Sequence, residues 1–345
     1  MSQMGRATPL NSLAGRLSPV PILQVATGFW ASQALLTAVD LRVFSALFGG
    51  AKTAAELANE LSVDTAALEA LLDANCALGF LLRHGERYRN AEVSNAFLVE
   101  DSPGSYVDLV RFMRQPLFGI WQSLEETVKK GESPVPPSQM DSTEVQLARA
   151  FHNGAYATMM RVAEILDLEF SGYSKMIEVG GHSGAGSLCL ARRYPHLQAV
   201  ILDRPPFQAL AEEFIQVTKL EDRVRFQAGN PDEGSPGADA DLVLLPHVLS
   251  RRARPALPGI LQAVQQSLRP GGALIVTEFL LEDGKSEPRE AALFRLNVMA
   301  SYGPKNAGSL TRSELYGLLR DAGFTGVDMV GLPMFGITAI TATRG

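Results

Sequence analysis

The sequence predicts an α/β protein, with a doubly wound, mostly parallel sheet preceded by a mostly helical winged-helix domain. In the C-terminal half, short apolar runs alternate with amphipathic segments, the pattern of parallel strands joined by crossover helices. In the N-terminal part, three helical segments precede a hairpin pattern. The chain has 345 residues, which is long for one domain and sufficient for two.

Composition indicates an ordinary globular protein, with 46% hydrophobic and 20% charged residues. The net charge of −6 argues against a nucleic-acid or anionic-membrane partner, because there is no basic surplus to pair with phosphates. Cys76 and Cys189 lie far apart and neither has a Cys-x-x-Cys partner, which indicates a reducing compartment and no structural zinc. Residues 1–21 lack the apolar core of a signal peptide, and no apolar run approaches the ~20 residues of a membrane span, so we expect a cytoplasmic protein.

The N-terminal domain is predicted over residues 21–140, after a flexible arm of residues 1–20 that is rich in Ser, Gly and Pro. Ile22 to about Leu47 carries a broad apolar face at helical spacing. Thr53 is followed three residues later by Glu56, the pattern of a capping box that starts another helix. This domain is therefore expected to be mostly helical.

A third helical segment and a hairpin complete the winged-helix pattern. Asp64 opens the helix and Gly79 ends it, and Leu81 to Asn90 reads as a hairpin with His84-Gly85 at its turn. As a recognition helix this segment would be repelled by phosphates, because it holds three acids and no Lys or Arg. We therefore expect its apolar faces to pack against another protomer and not to bind DNA.

Residues 102–170 contain further helices and many aromatic side chains. Ser102 to Lys130 is mostly helical with a break at Pro116, and a helix from about Thr143 to Leu166 lies in a bridging segment of residues 141–170. Apolar side chains here and near residue 300 either pack in the core or line a pocket for a flat, apolar ligand. The candidate substrate residues are Phe118, Trp121, His152, Tyr156, Met160, Met299 and Tyr302.

The stretch from Met176 to Asp203 has the layout of a nucleotide-binding half-fold. A buried strand is followed by a glycine cluster, a helix ending near Tyr194, and a second strand that stops on Asp203. Glycines let the backbone approach a ligand closely, and the start of the helix adds oriented N–H donors. An acid at the tip of the second strand can accept both hydroxyls of a ribose.

The spacing of the glycines distinguishes between cofactors. No register supplies the Gly-x-Gly-x-x-Gly of dinucleotide-binding proteins. The run from Glu178 to Gly184, EVGGHSG, instead resembles the S-adenosylmethionine loop of class I methyltransferases, Asp/Glu-x-Gly-Gly-Gly-x-Gly, with His182 at the third glycine. An ordinary βαβ unit without a ligand is the alternative, and the position of Asp203 favours the cofactor.

The remaining segments continue the sheet. Arg269-Pro270-Gly271-Gly272 is expected to cap the helix Leu257 to Leu268, and Ser313 to Asp321 forms the last helix. The further predicted strands are Val224 to Gln227, Asp241 to Leu245, Ala273 to Phe279, Val327 to Val330 and Ile337 to Thr343.

Several linked signatures identify a family. Besides the winged-helix start and the glycine cluster, they are Leu202-Asp203-Arg204-Pro205, Leu268 to Gly272, and Thr311 to Phe324. From Ile22 to Arg344 the chain resembles the small-molecule O-methyltransferases that modify plant phenolics and bacterial polyketides. The resemblance implies a Rossmann-like domain over residues 171–345 that binds S-adenosylmethionine, and an intertwined homodimer formed through the winged-helix domain.

The resemblance also implies the cofactor contacts. Gly180 and Gly181 lie at the methionine end, Asp203 binds the ribose, and Arg204 flanks the adenine. Asn230 stands where relatives carry an acid near the adenine amine, and its amide oxygen can still accept a hydrogen bond. The full set of candidate cofactor residues is Glu178, Gly180, Gly181, Gly184, Asp203, Arg204, Asn230, Pro231 and Pro246.

The catalytic position departs from the family. Many relatives carry His-Asp after the fourth strand, where the histidine takes a phenol's proton, and that pair falls on Ser250-Arg251 here. A flanking glutamate of relatives matches Glu278, whereas the second falls near Ser309 and is missing. Serine without a partner is a poor base. The candidate catalytic residues are His247, Glu278 and Ser250, with His152 as a weaker base candidate.

Two readings of His247 stay open, a general base or a side chain that packs beside the cofactor. Transfer from a sulfonium has a very good leaving group, so orientation and desolvation can supply much of the rate. We therefore expect O-methylation of an aromatic or polyketide-like hydroxyl. The alternatives are transfer to carbon or nitrogen, or a non-methylating protein, for example pericyclase-like or binding only, that retains the cofactor fold.

Overall fold

The computed structural model describes residues 18–166, 170–232, 237–306, 308–333 and 336–345. The predicted arm, residues 1–20, falls mostly on residues 1–17, which lie outside the described residues. Packing divides the chain into two compact units, with the division between Val107 and Asp108 in the sequence. The sequence instead places a domain boundary near residue 140.

The first unit has the predicted winged-helix arrangement. A three-stranded antiparallel sheet has the order β1-β3-β2, and the hairpin turn lies at Gly85-Glu86, one residue later than predicted, because Gly85 takes the positive φ of 61°. The strands are β1 Lys52–Thr53, β2 Leu81–His84 and β3 Arg87–Asn90. The helices are α1 Val20–Ala26, α2 Gly28–Asp40, α3 Val43–Ala46, α4 Ala54–Leu61, α5 Thr65–Ala77 and α6 Glu92–Phe97.

Local chemistry explains where these helices begin. The Thr53 hydroxyl accepts the Glu56 N–H at 3.2 Å and the Glu56 carboxylate accepts the Thr53 N–H at 2.8 Å, which is the predicted capping box. The Asp64 carboxylate accepts the Ala67 N–H at 2.8 Å and starts α5 in the same way. The largest side chains buried in this unit are Phe44, Leu57, Leu72, Leu81 and Tyr88.

One face of the first unit is apolar and exposed. It is formed by α1 and the start of α2, and its residues are Val20, Ile22, Leu23, Val25, Phe29 and Trp30. Among the described residues, the stretch Val20–Asp40 meets a length and hydropathy test for a membrane span, with a mean hydropathy of 1.3. Exposed apolar faces of this kind also mark sites of protein–protein interaction.

The second unit contains the large sheet and the helices that cover it. The strands are β4 Lys175–Val179, β5 Gln198–Asp203, β6 Val224–Ala228, β7 Ala240–Pro246, β8 Leu268–Glu278, β9 Phe324–Gly331 and β10 Thr338–Arg344. The helices are α7 Val107–Phe112, α8 Phe118–Gln122, α9 Leu124–Lys130, α10 Pro137–Ile165, α11 Ala185–Arg193, α12 Gln208–Thr218, α13 Leu257–Ser267, α14 Arg289–Tyr302 and α15 Arg312–Asp321.

The seven strands of this sheet have the order β6-β5-β4-β7-β8-β10-β9. The five strands from β4 to β8 pair in parallel, and β10 lies antiparallel between β8 and β9. Side chains alternate between two buried layers: Met176 belongs to one, and Ile177 and Val179 belong to the other. The predicted doubly wound fold is therefore confirmed.

The structure moves three predicted boundaries in this unit. Helix α10 begins at Pro137 and not near Thr143, because proline suits the first turn of a helix. The segment Arg269–Gly272 lies inside β8, where Gly271 has a φ of 73° and a Cβ at Gly272 would lie 3.0 Å from the carbonyl oxygen of Ala240. The predicted break at Pro116 falls one residue earlier, on the extended backbone of Gln115.

Candidate active site

The carboxyl ends of three neighbouring strands form the candidate site. Strand β4 lies between β5 and β7, so the loops that follow these strands meet where the strand order reverses, the position at which open α/β sheets bind ligands. These loops supply the glycine loop Gly180 to Gly184, the pair Asp203-Arg204, and the segment Pro246 to Arg251. The sequence predicted candidate residues in all three.

The glycine loop has a backbone that side chains would block. Gly180 and Gly184 have φ values of 68° and 72°, the left-handed region that favours glycine. A Cβ at Gly180 would lie 2.8 Å from Val248, one at Gly181 would lie 2.5 Å from the Glu178 carboxyl carbon, and one at Gly184 would overlap Ile201. The loop can therefore pass close to a bound ligand.

Glu178 is hydrogen-bonded to the residues that follow the glycine loop. Its two carboxylate oxygens accept the N–H groups of Gly186 at 3.2 Å and Ser187 at 2.7 Å, at the start of α11. Only 1% of its surface is exposed, and burial raises the pKa of the carboxyl to about 7, although the hydrogen bonds from Ser187 and Gly186 act to lower it. The carboxylate thus faces the helix, and its predicted contact with the cofactor stays a prediction.

Asp203 is engaged by the glycine loop. Its Oδ2 accepts two hydrogen bonds from His182, from the backbone N–H and from Nδ1, each at 2.8 Å. Its Oδ1 accepts the Arg204 N–H at 2.7 Å. Burial acts to raise the pKa of Asp203, but these hydrogen bonds and the nearby imidazole hold the pKa below its ordinary value. Asp203 therefore stays ionised.

His182 has a backbone conformation that favours glycine. Its φ of 51° lies in the left-handed region, and its ring stacks on Phe207 with the ring centroids 4.2 Å apart. Its Nε2 lies 2.8 Å from Nη1 of Arg251. Burial and Arg251 lower the pKa of the imidazole, despite the opposing effect of Asp203.

The other adenosine-side candidates are held by local partners. Arg204 donates to Asp141 at 2.6 Å and to Glu144, both on α10, and its guanidinium carbon lies 5.3 Å from the centroid of the Phe207 ring. Asn230 accepts the Asp232 N–H through its amide oxygen at 3.1 Å. Pro231, next to it, is buried, and Pro246 ends β7 opposite Thr277. Their predicted roles stay predictions.

Ser250 and Glu278 are buried next to each other. The Ser250 N–H donates to Oε1 of Glu278 at 3.0 Å, and both residues are at most 3% exposed. Three buried oxygens near them have no hydrogen-bond partner among the described residues: the Ser250 hydroxyl, the Ser309 hydroxyl and Oε2 of Glu278. Burial raises the pKa of Glu278. Among the described residues, the Ser250 hydroxyl forms no hydrogen bond with an imidazole that could take its proton.

His247 is a weak base. Its backbone has a φ of 52° and donates to the Thr277 carbonyl at 2.8 Å, and its ring lies 5.2 Å from that of Phe279 between centroids. Burial, helped by Arg251, lowers the pKa of the imidazole to about 3. The ring is therefore neutral at physiological pH, and its affinity for a proton is low.

The predicted substrate residues fall into two groups. Trp121 on α8 donates to the amide oxygen of Asn297 on α14 at 2.8 Å, and Met299 and Tyr302 lie on α14 as well. The pKa of Tyr302 is raised by burial, and its hydroxyl interacts with Arg251 and Glu144. This set lies beside the segment that follows β7.

The other candidates lie elsewhere in the second unit. His152 on α10 contacts the Ser183 hydroxyl through Nδ1 at 2.9 Å and stacks on Phe214, with centroids 3.5 Å apart, so it supports the glycine loop. Burial lowers the pKa of His152 to about 4. Tyr156 packs against the core, Phe118 is half-buried, and Met160 is 41% exposed.

Sequence reasoning did not assign a role to three residues of this network. His182 was noted only as a departure from glycine, Arg251 only as the neighbour of Ser250, and Glu144 was not singled out. A histidine at a position that a loop reserves for glycine is itself a signal, because such a residue needs a stabilising contact.

The site fits S-adenosylmethionine. The glycine loop leads into the start of α11, whose positive dipole end suits the carboxylate of the methionine end. Asp203 is ionised, and its Oδ1 retains one lone pair for a ribose hydroxyl.

Comparisons with known proteins agree with this fit. A family model for the O-methyltransferase domain matches residues 137–325, and one for the O-methyltransferase dimerisation domain matches residues 23–100. The tetracenomycin polyketide synthesis 8-O-methyl transferase TcmO of Streptomyces glaucescens is 30% identical, over 93% of this chain and 94% of that protein. The 3-hydroxy-5-methyl-1-naphthoate 3-O-methyltransferase of Streptomyces sahachiroi is 31% identical, over 94% of both chains.

A solved structure has the same fold. The crystal structure of human N-acetylserotonin methyltransferase in complex with SAM superposes with a TM-score of 0.81 at 24% identity, over 99% of this chain and 100% of that one. The family matches and the relatives together confirm the predicted family and cofactor. The chain belongs to the S-adenosylmethionine-dependent O-methyltransferases that carry an N-terminal dimerisation domain.

Proposed function

We propose that this methyltransferase acts on a hydroxyl group of a flat aromatic molecule of polyketide type. The observation that carries the proposal is the pair of Streptomyces relatives, whose names specify O-methylation of a polyketide and of a naphthoate. The aromatic side chains of Trp121 and Tyr302, beside the segment that follows β7, are suited to such a ligand.

The residues of the site support a mechanism in which orientation and desolvation supply most of the rate. S-adenosylmethionine, when bound, supplies an electrophilic methyl group on a sulfonium with a good leaving group. The glycine loop and Asp203 would hold it, while α8 and α14 would exclude water from the acceptor hydroxyl. The group beside Ser250 is the Glu278 carboxyl, which is only 1% exposed and so shielded from a substrate. The pKa of His247, about 3, makes that imidazole a poor acceptor for a phenol's proton.

Turnover of His247→Asn tests this mechanism. Asparagine tolerates the left-handed φ of 52°, so the loop should keep its path. We expect kcat to fall less than about tenfold, whereas loss of a general base costs about 10²–10⁴-fold. A loss in the larger range, with an unchanged Kd for S-adenosylhomocysteine, would identify His247 as the base. Ser250→Ala is the matched control, and we expect its kcat to be close to that of the wild type.

The substrate class is tested with labelled cofactor. We would incubate the enzyme with S-adenosylmethionine carrying a ¹³C methyl group and with hydroxynaphthoates and hydroxylated polycyclic polyketides. NMR of the product then identifies the methylated atom, which we expect to be a phenolic oxygen. A label on carbon or nitrogen would overturn the choice of oxygen. Binding of S-adenosylhomocysteine without any methylated product would favour a non-methylating protein.

The dimerisation-domain match over residues 23–100 supports a homodimer, and we propose that a second protomer covers the apolar face on α1 and α2. Light scattering after gel filtration should give twice the mass of 37.1 kDa. Trp30→Glu, with a side chain that is 65% exposed in the protomer, should shift the enzyme toward monomer. A monomeric wild type that floats with lipid vesicles would point to a membrane partner and away from the proposed cytoplasmic dimer.

A further inference from the structure

The side chain of His182 makes a contact with Asp203 that a glycine at this position could not make. The Asp203 oxygen Oδ2 accepts both the backbone N–H and Nδ1 of His182, so both of its in-plane lone pairs are used. Oδ1 accepts the Arg204 N–H and keeps one lone pair. A carboxylate in this arrangement can receive one ribose hydroxyl but not both.

Arg251 determines which nitrogen of His182 carries the proton. A guanidinium is a donor only, so Nε2, 2.8 Å from Nη1 of Arg251, must accept. The proton then resides on Nδ1, which donates to Asp203. Arg251 thereby favours the one tautomer of His182 that occupies the carboxylate.

The three side chains form a bridge across the site. Asp203 ends β5, His182 follows β4, and Arg251 follows β7, and these strands are consecutive in the sheet. The His182 ring is further held by stacking on Phe207. Beneath this bridge Asp203 is only 1% exposed. A ribose cannot pair with both of its oxygens while the ring of His182 stays in this position.

We propose that His182 sets the affinity for the cofactor by competing with the ribose for Asp203, and that Arg251 stabilises the competing arrangement. Cofactor binding then exchanges the Nδ1–H···Oδ2 bond for a ribose hydroxyl bond. The apparent Kd is then the intrinsic Kd divided by the fraction of molecules in which the bridge is open. The inference rests on the cofactor of the family and not on the proposed substrate.

Calorimetric titration with S-adenosylhomocysteine tests the competition without any turnover. His182→Gly removes the ring and suits the left-handed φ of 51°. We expect its Kd to fall about tenfold, the effect of about 1.4 kcal/mol, which is in the range of one charge-assisted hydrogen bond. Weaker binding would instead make His182 a positioning residue. An unchanged Kd would show that the bridge has no effect on cofactor affinity. Either result overturns the proposal. His196→Gln, at the opposite end of β5, is the matched control with an unchanged Kd.

A double-mutant cycle separates competition from a general loosening of the loop. In an Asp203→Ala background there is no carboxylate to compete for, so His182→Gly should no longer tighten binding. A gain that persists there would show that His182 acts by another route. Arg251→Met should tighten binding in the wild-type background, and by less when His182 is already replaced by glycine.

The wild-type enzyme offers a second readout, for which His182→Gly serves only to assign the spectrum. The chain has 5 histidines, so ¹⁵N-histidine spectra are simple, and the resonances of His182 are those missing from His182→Gly. If the ribose displaces Nδ1 from Asp203, these resonances shift when S-adenosylhomocysteine is added. Resonances of His182 that do not move at saturation would overturn the proposal.

Discussion

Replacing Glu178 by glutamine tests how the start of α11 is held. The carboxylate accepts the N–H groups of Gly186 and Ser187, one with each oxygen. Glutamine offers one acceptor oxygen, so one of these buried N–H groups meets an amide NH₂ and loses its partner. Such a loss costs about 1–3 kcal/mol. If the carboxylate is ionised in the folded chain at every pH tested, the variant should show this deficit without a pH trend.

The raised pKa of Glu178 predicts a trend. Its pKa is about 7 in the folded chain, against an ordinary value of 4.5, so the folded chain binds the proton more tightly than the unfolded chain. The corresponding stability is fully present below 4.5 and is lost as the pH rises through about 7. Between about pH 5.5 and about pH 8.5 the wild type should lose about 2 kcal/mol that glutamine cannot lose. As the pH rises, the free energy of unfolding of Glu178→Gln should therefore increase relative to that of the wild type.

Urea unfolding followed by fluorescence measures this difference. The chain has 2 tryptophans, and in a Trp30→Phe background Trp121 reports on the unit that contains Glu178. In that background, the transition is compared with and without the Glu178→Gln substitution at about pH 5.5, 7 and 8.5. Glu125→Gln, at a side chain that is 81% exposed, is the control without a trend. The reasoning would be refuted if the difference in unfolding free energy between Glu178→Gln and its background stayed constant as the pH rises, or if the variant became relatively less stable.

Two further predictions concern the loop and the base of the sheet. Gly184→Ala places a Cβ on buried Ile201 at a φ of 72°. We expect thermal unfolding to show a loss of about 1–3 kcal/mol in stability, and calorimetry to show weaker binding of S-adenosylhomocysteine. The control is Gly317→Ala, which should not destabilise the protein because no atom lies within 4 Å of the added Cβ. Burial acts to raise the pKa of Asp241, but Arg269 and three hydrogen bonds from residues 174 and 175 lower it to about 2. This lowered pKa contributes stability above about pH 4 that is lost as the pH falls through about 2. Asp241→Asn should therefore cost about 2 kcal/mol of stability at pH 7 and little at pH 2, measured by unfolding followed by circular dichroism. An equal cost at the two pH values would contradict this prediction.

Much of the architecture follows from patterns of a few residues. The capping box at Thr53 and Glu56, the alternation of strands and helices, and the acid at the end of β5 were all predicted, because each depends on backbone preferences or on hydrogen bonds between close neighbours. The boundary errors fall at prolines and glycines. Gly271, for example, lies inside β8 where a turn was expected, at an irregularity in the register between Leu268 and Ala273 that only the pairing with the neighbouring strand reveals.

The pairing of side chains required the tertiary structure. Trp121 and Asn297 are 176 residues apart in the chain, and His182 and Arg251 are 69 apart, so no local pattern relates them. The sequence by itself determined the fold class, the glycine loop and the acid available for a ribose, since these depend on residue type and spacing. Only the packing of β5, β4 and β7 side by side decided that His182 occupies that acid, because the charge, burial and hydrogen bonds of Asp203 come from groups that the sheet brings together.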